Sequence, residues 1–321
     1  MTRSVADGLH VVIGASGGTG QVIVRELHAA GRSIRAVNRS GRLPVASGVE
    51  VVAADATDAA QMRRVCAGAT VVYNCVNPPF LRWREMFPAA VDGVLAGAAA
   101  ADAVLVFADD TWMYGRVTAP MTEDTPHRPV SAKGVLRAWL AERVLAAHHR
   151  GDVRTVIGRA GELYGPAVES LLGRNLFGAA LAGGTARWLG RLDQPVTPAF
   201  VDDFARSLVT LAEHPEAYGA VWHAPHPEPT TGRGFIDSIF AAAGARSRVT
   251  AHGPATVRAL GLVSPIAREG AEMIYQFTMP FVVDGTRYQD AFGVKATPVD
   301  EAVQATLDWY RANPGRRALG R

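Results

Sequence analysis

The chain has 321 residues, of which 48% are hydrophobic and 20% charged, and its formal net charge is +3. This length and composition suffice to bury one large α/β core and a smaller lobe. The basic residues are scattered, so we expect no nucleic-acid partner and no membrane partner. The two cysteines, Cys66 and Cys75, lack metal-ligand spacing, so we expect no metal site and a reduced, cytoplasmic protein.

The first predicted element is an apolar strand that begins at Leu9 and leads into a glycine-rich turn. A helix is predicted directly after the turn, over Gln21–Ala30. Glycines let a backbone turn tightly and leave room for a pyrophosphate at the amides of a helix N-terminus. The alternative is a structural turn without a ligand. We predict a dinucleotide site whose phosphate ligands are Gly14, Ser16, Gly17, Gly18, Thr19 and Gly20.

The second predicted strand, Ser33–Asn38, ends where the adenosine ribose lies in a doubly wound sheet. Asn38 stands where an acidic residue would bind the ribose hydroxyls and repel a 2′-phosphate, and Arg39 and Ser40 follow it. A planar guanidinium suits a phosphate. We therefore expect NADP(H) in preference to NAD(H), with these three residues at the ribose. The alternative is that Arg39 is a solvated loop residue.

The third predicted strand, Val49–Ala54, is followed by candidate contacts to the adenine, Asp55 and Ala56. Asp58 is placed to cap a helix over Ala59–Ala67, because its side-chain oxygen could accept from the first amides of that helix.

The fourth predicted strand, Thr70–Val76, ends at a proline-rich breaker beside the expected nicotinamide position. We expect Cys75 and Val76 to contact the cofactor and Asn77 to contact the substrate.

The most apolar long window, Ala89–Ala108, contains Asp92 and Asp102. It is predicted to form a helix over Trp83–Ala101 and a fifth strand over Ala103–Ala108, not a membrane span. The alternation of strands and helices predicts an α/β fold with a doubly wound parallel sheet. We expect a nucleotide-binding domain over residues 1–165 and a substrate-binding lobe over 166–321, partly interleaved with the sheet.

Two motifs after the fifth and sixth strands resemble a known family. Residues 109–115 read Asp-Asp-Thr-Trp-Met-Tyr-Gly, and residues 158–166 read Gly-Arg-Ala-Gly-Glu-Leu-Tyr-Gly-Pro. Together with the glycine-rich turn and residues 199–205, they are similar to the extended short-chain dehydrogenase/reductase superfamily, of the NAD-dependent epimerase/dehydratase type. The resemblance covers nearly the whole chain and implies a Rossmann-type fold and a small-molecule substrate.

The catalytic pattern of that family is altered here. The family usually carries a Ser or Thr, and a Tyr and a Lys four residues apart on one helix. Asp110 aligns with the Ser or Thr, and Lys133 and Arg137 take the Tyr and Lys positions of a helix that begins near Ser131. A second register gives Lys133 the Lys position and leaves Pro129 at the Tyr position. In both registers the Tyr-Lys pair is absent, as in the atypical branch of the superfamily.

Lys133 is our candidate for proton transfer. As i and i+4 of a helix, Lys133 and Arg137 would stand together facing the cofactor, where the guanidinium and partial burial would lower the pKa of the lysine. The chain contains 31 arginines but only the lysines Lys133 and Lys295, and an arginine cannot release a proton near neutral pH. Isoflavone-reductase-like relatives, by resemblance, provide precedent for a catalytic lysine. The alternative is that Lys133 only binds the ribose or a phosphate.

Asp110 is the second catalytic candidate, because a carboxylate there could orient a substrate hydroxyl or amine or pair with Lys133. Its alternative is a buried carboxylate paired with a neighbouring arginine. Trp188 and Tyr275 are expected to favour an apolar or aromatic substrate. Core packing is the competing interpretation for most such aromatic residues. The full set of candidate substrate contacts is Asn77, Thr111, Tyr114, Glu162, Tyr164, Trp188 and Tyr275.

The regular alternation fades after Gly165. The tail, Pro314–Arg321, is expected to fray. The elements predicted in this part are a short strand, Ala220–Ala224, and the helices Val168–Ala182, Arg233–Ala243, Pro254–Leu260, Ser264–Phe277 and Asp300–Tyr310.

Three hypotheses of function follow. The first is an NADPH-dependent oxidoreductase that transfers hydride to a carbonyl, imine or conjugated alkene of a small, largely apolar molecule. The second is an epimerase, dehydratase or lyase that retains its cofactor. The third is a non-catalytic NADP-binding regulator, which the altered catalytic pattern allows. A homodimer is left open.

Overall fold

The computed structural model describes residues 5–314, so the predicted fraying beyond Pro314 lies outside the described residues. The strands, in chain order, are β1 (Leu9–Ile13), β2 (Ser33–Asn38), β3 (Val49–Ala53), β4 (Ala69–Asn74), β5 (Val104–Asp109), β6 (Thr155–Arg159), β7 (Leu163–Tyr164), β8 (Ala186–Leu189), β9 (Pro195–Val196), β10 (Ala199–Phe200), β11 (Val221–His223), β12 (Thr230–Thr231) and β13 (Val249–His252).

The α-helices connect and follow these strands. They are α1 (Gly18–Ala29), α2 (Ala59–Cys66), α3 (Trp83–Ala100), α4 (Ala132–His149), α5 (Arg174–Leu181), α6 (Val201–Glu213), α7 (Gly232–Ala242), α8 (Pro254–Leu260), α9 (Pro265–Ala271), α10 (Thr286–Phe292) and α11 (Val299–Ala312). Short 3-10 turns lie at Val5–Asp7, Phe80–Arg82, Trp112–Tyr114, Pro215–Ala217 and Ile274–Phe277.

A seven-stranded sheet forms the centre of the nucleotide-binding fold, in the order β11-β6-β5-β4-β1-β2-β3. Every neighbouring pair in it is parallel. Ile13, the last residue of β1, lies opposite Val37 of β2 and Asn74 of β4. The chain therefore reverses its direction of strand addition at β1, the switch point beside which open α/β sheets bind ligands. The predicted doubly wound parallel sheet with flanking helices is confirmed.

Contacts divide the chain into two compact units that are interleaved in sequence. Unit 1 comprises the residues up to Asp109, Leu136–Arg159 and Phe204–Ala224, and it contains the seven-stranded sheet. Unit 2 comprises Asp110–Val135, Ala160–Asp203 and the residues from Pro225 onward. The functional division at residue 165 stays a prediction.

Each unit has its own apolar core. In unit 1, Val11 and Ile13 of β1 pack with Met62 of α2 and Val94 of α3. In unit 2 the core is aromatic, and the ring of Tyr164 lies 5.0 Å from that of Phe235 and 5.9 Å from that of Phe177. Aromatic side chains bury large apolar areas, so a lobe with short strands is stabilised mainly by these rings.

Two predicted helices differ from the structure. Over Val168–Ala182 the helix begins only at Arg174, because the Ser170 hydroxyl donates to Leu163 O and accepts from the Leu172 amide, holding a turn instead. The helix predicted over Ser264–Phe277 ends at Ala271 and is followed by a separate buried 3-10 turn.

Candidate functional site

The glycine-rich turn of unit 1 has no room for a side chain at Gly14 or at Gly20. Gly14 has a φ of +83°, and a Cβ there would lie 2.5 Å from the carbonyl oxygen of Cys75. A Cβ on Gly20 would lie 2.5 Å from the carbonyl oxygen of Gly14. The Gly17 amide donates to that same oxygen at 3.1 Å and closes the turn. Because these two positions are glycine, the backbones of β1, the turn and α1 can pack directly against one another.

The N-terminus of α1 is suited to an anion. Gly17 is its N-cap residue, no side chain caps the helix, and its first turn contains no acidic residue. The first amides of a helix have no intrahelical acceptor and carry the positive end of the dipole. Ser16 and Gly17 are exposed. That the pyrophosphate of a dinucleotide binds these residues stays a prediction.

Asn38, at the end of β2, holds the following turn together. Its Oδ1 accepts from the amides of Ser40 and Gly41 at 3.0 and 2.8 Å, and its Nδ2 donates to Arg42 O at 3.0 Å. The side chain of Arg39 is exposed, and among the described residues none forms an ion pair with it. The asparagine therefore builds a turn that leaves the neighbouring guanidinium available to a ligand.

The ends of β3 and β4 complete this edge of the sheet. Oδ1 of Asp55 accepts from the amide and hydroxyl of Thr57. Asp58 caps α2 by accepting from the amides of Ala60 and Gln61, which confirms the predicted cap.

Beyond β4, Cys75 continues the parallel pairing. Its amide donates to Ile13 O at 2.8 Å, and the Val76 amide donates to Asn74 Oδ1 at 3.2 Å. Both residues therefore directly follow the strand beside β1, while Asn77 is exposed.

Arg137 lies in a buried ion cluster of unit 1. Its Nη2 is 2.7 Å from Oδ1 of Asp109, whose Oδ2 accepts from Nε of Arg159 at 2.8 Å. The guanidinium also lies 5.1 Å from the ring of Phe87 and 5.7 Å from that of Trp83. The charge that we expected to act on Lys133 is thus compensated by Asp109. The carboxylate of Asp109 is thus shared by two buried arginines.

Lys133 lies one helical turn before Arg137 on α4, within unit 2, and its partner there is Glu269. The lysine side chain is 7% exposed and that of Glu269 is 36% exposed. Ser131 accepts from the Gly134 amide at 3.0 Å and so caps α4, at the predicted start of this helix.

In unit 2, burial and the charge of Asp110 shift the pKa of Glu162. Burial raises the pKa of Glu162 to about 7, a hydrogen bond from the Leu171 backbone lowers it, and the charge of Asp110 raises it. Oδ1 of Asp110 accepts from the Trp112 amide at 2.9 Å. A carboxyl group with a pKa near 7 exists in both forms at neutral pH, which is the requirement for proton transfer.

A buried histidine fixes the backbone next to Glu162. His226 is 6% exposed, and its Nε2 accepts from the Gly161 amide at 3.1 Å. This geometry requires Nε2 to be unprotonated.

The aromatic candidates of unit 2 are mostly buried. Tyr164 and Trp188 belong to its apolar core, in agreement with the core-packing interpretation. The hydroxyl of Tyr275 donates to Trp112 O at 3.4 Å, and burial, with the charge of Asp110, raises the pKa of this tyrosine. Thr111 and Tyr114 are each 1% exposed. The substrate roles assigned to these residues stay predictions.

Four residues that bear on the site were not predicted. Glu269 and Glu272 follow Lys133 by more than 130 positions in a segment without any motif, so no sequence signal connected them. Asp109 is adjacent to the acid that aligned with the family position. His226 lies in a proline-rich loop, and nothing in the local sequence indicates that its side chain is buried.

Across residues 5–314, no group of three or more His, Cys, Asp or Glu side chains is placed to hold a metal ion. No helix in the described part of the chain is both long and apolar enough to cross a bilayer.

The chain is similar to a known protein family and, in its fold, to solved structures. A model of the NAD dependent epimerase/dehydratase family matches residues 10–222. No curated protein sequence matches the chain.

Three solved structures illustrate the likeness in fold. DesIV, a dTDP-glucose 4,6-dehydratase from Streptomyces venezuelae with NAD and TYD bound, is 18% identical with a TM-score of 0.78, over 96% of this chain and 98% of that chain. MoeE5 in complex with UDP-glucose and NAD is 23% identical with a TM-score of 0.77, over 96% and 100%. UDP-glucose 4-epimerase from Thermus thermophilus, in complex with NAD, is 17% identical with a TM-score of 0.78, over 94% and 99%.

Proposed function

The chain belongs to the NAD-dependent epimerase/dehydratase family, and from this premise we propose that it is an NADP(H)-dependent oxidoreductase acting on a small molecule. The substrate class is a carbonyl, imine or conjugated alkene. The observation that carries the proposal is the side-chain-free turn at Gly14 and Gly20, which leads into an α1 N-terminus without a side-chain cap or an acidic residue. A dinucleotide pyrophosphate fits such a turn.

The residues of unit 1 would each hold one part of the dinucleotide. The amides at the start of α1 would bind the pyrophosphate, and Arg39 would bind a 2′-phosphate in bidentate fashion. Asp55 follows β3 and would lie at the adenosine, while Cys75 and Val76 follow β4 and would lie at the nicotinamide. When bound, the nicotinamide supplies or accepts a hydride.

Unit 2 contains the candidate groups for proton transfer. The carboxyl group of Glu162, with its pKa of about 7, would give a proton to the reduced substrate atom or take one from a substrate hydroxyl. The Lys133 ammonium would donate a hydrogen bond or a proton to the substrate, and Asp110 would orient the substrate.

An epimerase or dehydratase with a retained cofactor is the second candidate. It is supported by the family match and by the likeness in fold to structures with NAD and TYD or NAD and UDP-glucose bound. Both candidates use the same turn, but only net reduction consumes NADPH.

Calorimetric titration with NADPH and NADH tests the proposal first, on the unaltered protein and on the variants Arg39→Ala and Lys133→Ala. We expect NADPH to bind more tightly than NADH. Arg39→Ala should lower NADPH affinity about tenfold or more and leave NADH affinity unchanged, because a charge-assisted bidentate contact is lost. Lys133→Ala should leave NADPH binding intact. If neither nucleotide binds, the proposal is wrong.

A screen of aldehydes, ketones, imines and enones then separates the two enzyme classes. Substrate-dependent loss of NADPH absorbance supports the oxidoreductase. Conversion of a substrate without net loss of NADPH supports the epimerase or dehydratase instead.

A further inference from the structure

Two carboxylates of unit 2 contact successive residues at the start of α4. Glu269 accepts from Nζ of Lys133, and Oε2 of Glu272 accepts from the Ala132 amide at 2.8 Å. The first amides of a helix lack intrahelical acceptors, and negative charge is favourable at this end of the dipole. The first turn of α4 is therefore capped by Ser131 and by Glu272, which lies far away in the sequence, while Glu269 binds a side chain of the same turn.

Both carboxylates come from the end of one helical hairpin. Helices α8 and α9 form this hairpin, and Nε of Arg268 in α9 donates to Gly261 O at 3.0 Å. Glu269 lies in α9 and Glu272 is its C-cap residue, so they are three positions apart and share a face. The hairpin thus meets the start of α4 through a pair of carboxylates.

The ammonium of Lys133 is far more buried than its partner. Its side chain is 7% exposed, whereas that of Glu269 is 36% exposed. Burying an ammonium is costly unless a counter-charge and hydrogen bonds replace the lost water. Glu269 supplies such a counter-charge, and the half-exposed carboxylate holds the nitrogen in one place.

We propose that Glu269 is a positioning residue for Lys133, carried by the α8–α9 hairpin. It fixes Nζ of the lysine and shields it from solvent. This inference deepens the proposed function, because it rests on Lys133 taking part in the reaction. Glu272, which contacts the backbone of the neighbouring residue, anchors the hairpin without holding the lysine.

The composition of the chain offers a direct measurement. Lys133 and Lys295 are its only lysines, and Lys295 is exposed. Brief reaction of the folded protein with acetic anhydride, followed by mass spectrometry of peptides, reports acetylation of Lys133 relative to Lys295 in the same molecule. The ratio needs neither cofactor nor substrate.

We expect Glu269→Gln to raise this ratio about fivefold, since a partly exposed ion pair is lost. Glu272→Gln is the matched control, because its amide oxygen can still accept from Ala132, and its ratio should stay within about twofold of the unaltered protein. An unchanged ratio in Glu269→Gln overturns the proposal. A melting curve within a few degrees of the unaltered protein verifies that each variant is folded.

Turnover provides the second reading. With a substrate in hand, Glu269→Gln should lower kcat about fivefold or more and leave the KM for NADPH unchanged, because Lys133 is displaced while the nucleotide residues are intact. Glu269→Asp, which keeps the charge, should recover part of that loss. An unchanged kcat in Glu269→Gln contradicts the positioning role. If the unaltered protein turns over nothing, the proposed function fails, but the acetylation ratio still decides whether Glu269 shields Lys133.

Discussion

Arg137 and Asp109 form an ion pair in the interior of unit 1, with Nη2 of the arginine 2.7 Å from Oδ1 of the carboxylate. Both side chains are almost fully buried, and Arg159 binds the other oxygen of the same carboxylate. In the first of the two registers considered, Arg137 takes the lysine position of the related family, and in the structure its side chain binds Asp109 at the end of β5. We therefore expect Arg137 to contribute to the stability of the folded protein.

Arg137→Met should lower the free energy of unfolding by about 3 kcal/mol. Removing one member of a buried ion pair costs about 3 to 5 kcal/mol. The lower end applies here because Arg159 would still compensate the charge of Asp109. Urea denaturation measures the loss. Arg143→Met is the control, since Arg143 lies on the same helix in an exposed pair with Asp92 and should cost less than about 1 kcal/mol. Equal losses in the two variants would contradict a structural role for the buried pair.

The bounds of a strand or helix could be predicted where a residue at its end begins or terminates that structure. The bounds predicted for the second strand, Ser33–Asn38, and for the helix Pro254–Leu260 are those of β2 and α8. A turn-forming asparagine ends the first, and a proline at the first helical position begins the second. The helix predicted over Ser264–Phe277 was wrong because its apolar periodicity continues through the break after Ala271.

The contacts of the candidate site were harder to predict. The dinucleotide turn was visible because its residues are neighbours in sequence. Lys133 was visible as a rare lysine, but its partner Glu269 is 136 positions away. Such a pairing depends on tertiary packing, which periodicity and motifs do not encode. Asp109 likewise pairs with two arginines distant in sequence, Arg137 and Arg159, and no local motif indicates either pairing.

Gly17→Ala should weaken nucleotide binding without destabilising the fold. A Cβ at Gly17 would lie 3.5 Å from Gly14 O, an ordinary contact, and the φ of −75° suits any residue. We therefore expect a melting temperature within a few degrees of the unaltered protein. NADPH affinity should fall at least about tenfold, because the added methyl occupies space that the pyrophosphate needs. Calorimetry and thermal melting measure the two effects.

Gly14→Ala and Gly184→Ala complete that comparison. Gly14→Ala should destabilise the fold by more than about 2 kcal/mol, because of the positive φ and the clash with Cys75 O. Gly184→Ala meets only an ordinary contact at 3.6 Å and should change neither property. Unchanged NADPH affinity in Gly17→Ala would argue against a phosphate at this turn.

His226→Phe should destabilise the protein by about 1 to 2 kcal/mol. The substitution removes the acceptor of the partly buried Gly161 amide, and an unsatisfied donor costs about this much. His226→Gln should recover part of the loss, since its amide oxygen can accept from the same donor. Chemical denaturation of both variants provides the measurement. A Gln variant as unstable as the Phe variant would show that ring packing, not the hydrogen bond, is what matters.

Glu162 should make stability fall as the pH rises from about 4.5 to about 7. Its pKa is raised from 4.5 to about 7, so between these values the folded state binds more protons than the unfolded state. The contribution of the protonated carboxyl is fully present below the unfolded pKa and is lost as the pH rises through the folded pKa. This contribution to the free energy of unfolding is at most about 3 kcal/mol. Relative to the unaltered protein, Glu162→Gln should therefore be more stable at about pH 8 than at about pH 5 by up to that amount.

Urea denaturation of the unaltered protein and of Glu162→Gln at the two pH values measures this difference. In turnover, a proton donated by Glu162 predicts a kcat that declines above about pH 7 in the unaltered protein. That decline should vanish in Glu162→Gln, together with most of the activity. Stability that rises with pH over this interval would mean that the carboxylate form is the one favoured by the fold. Glu162 could then bind a substrate hydroxyl or amine but would not serve as the acid.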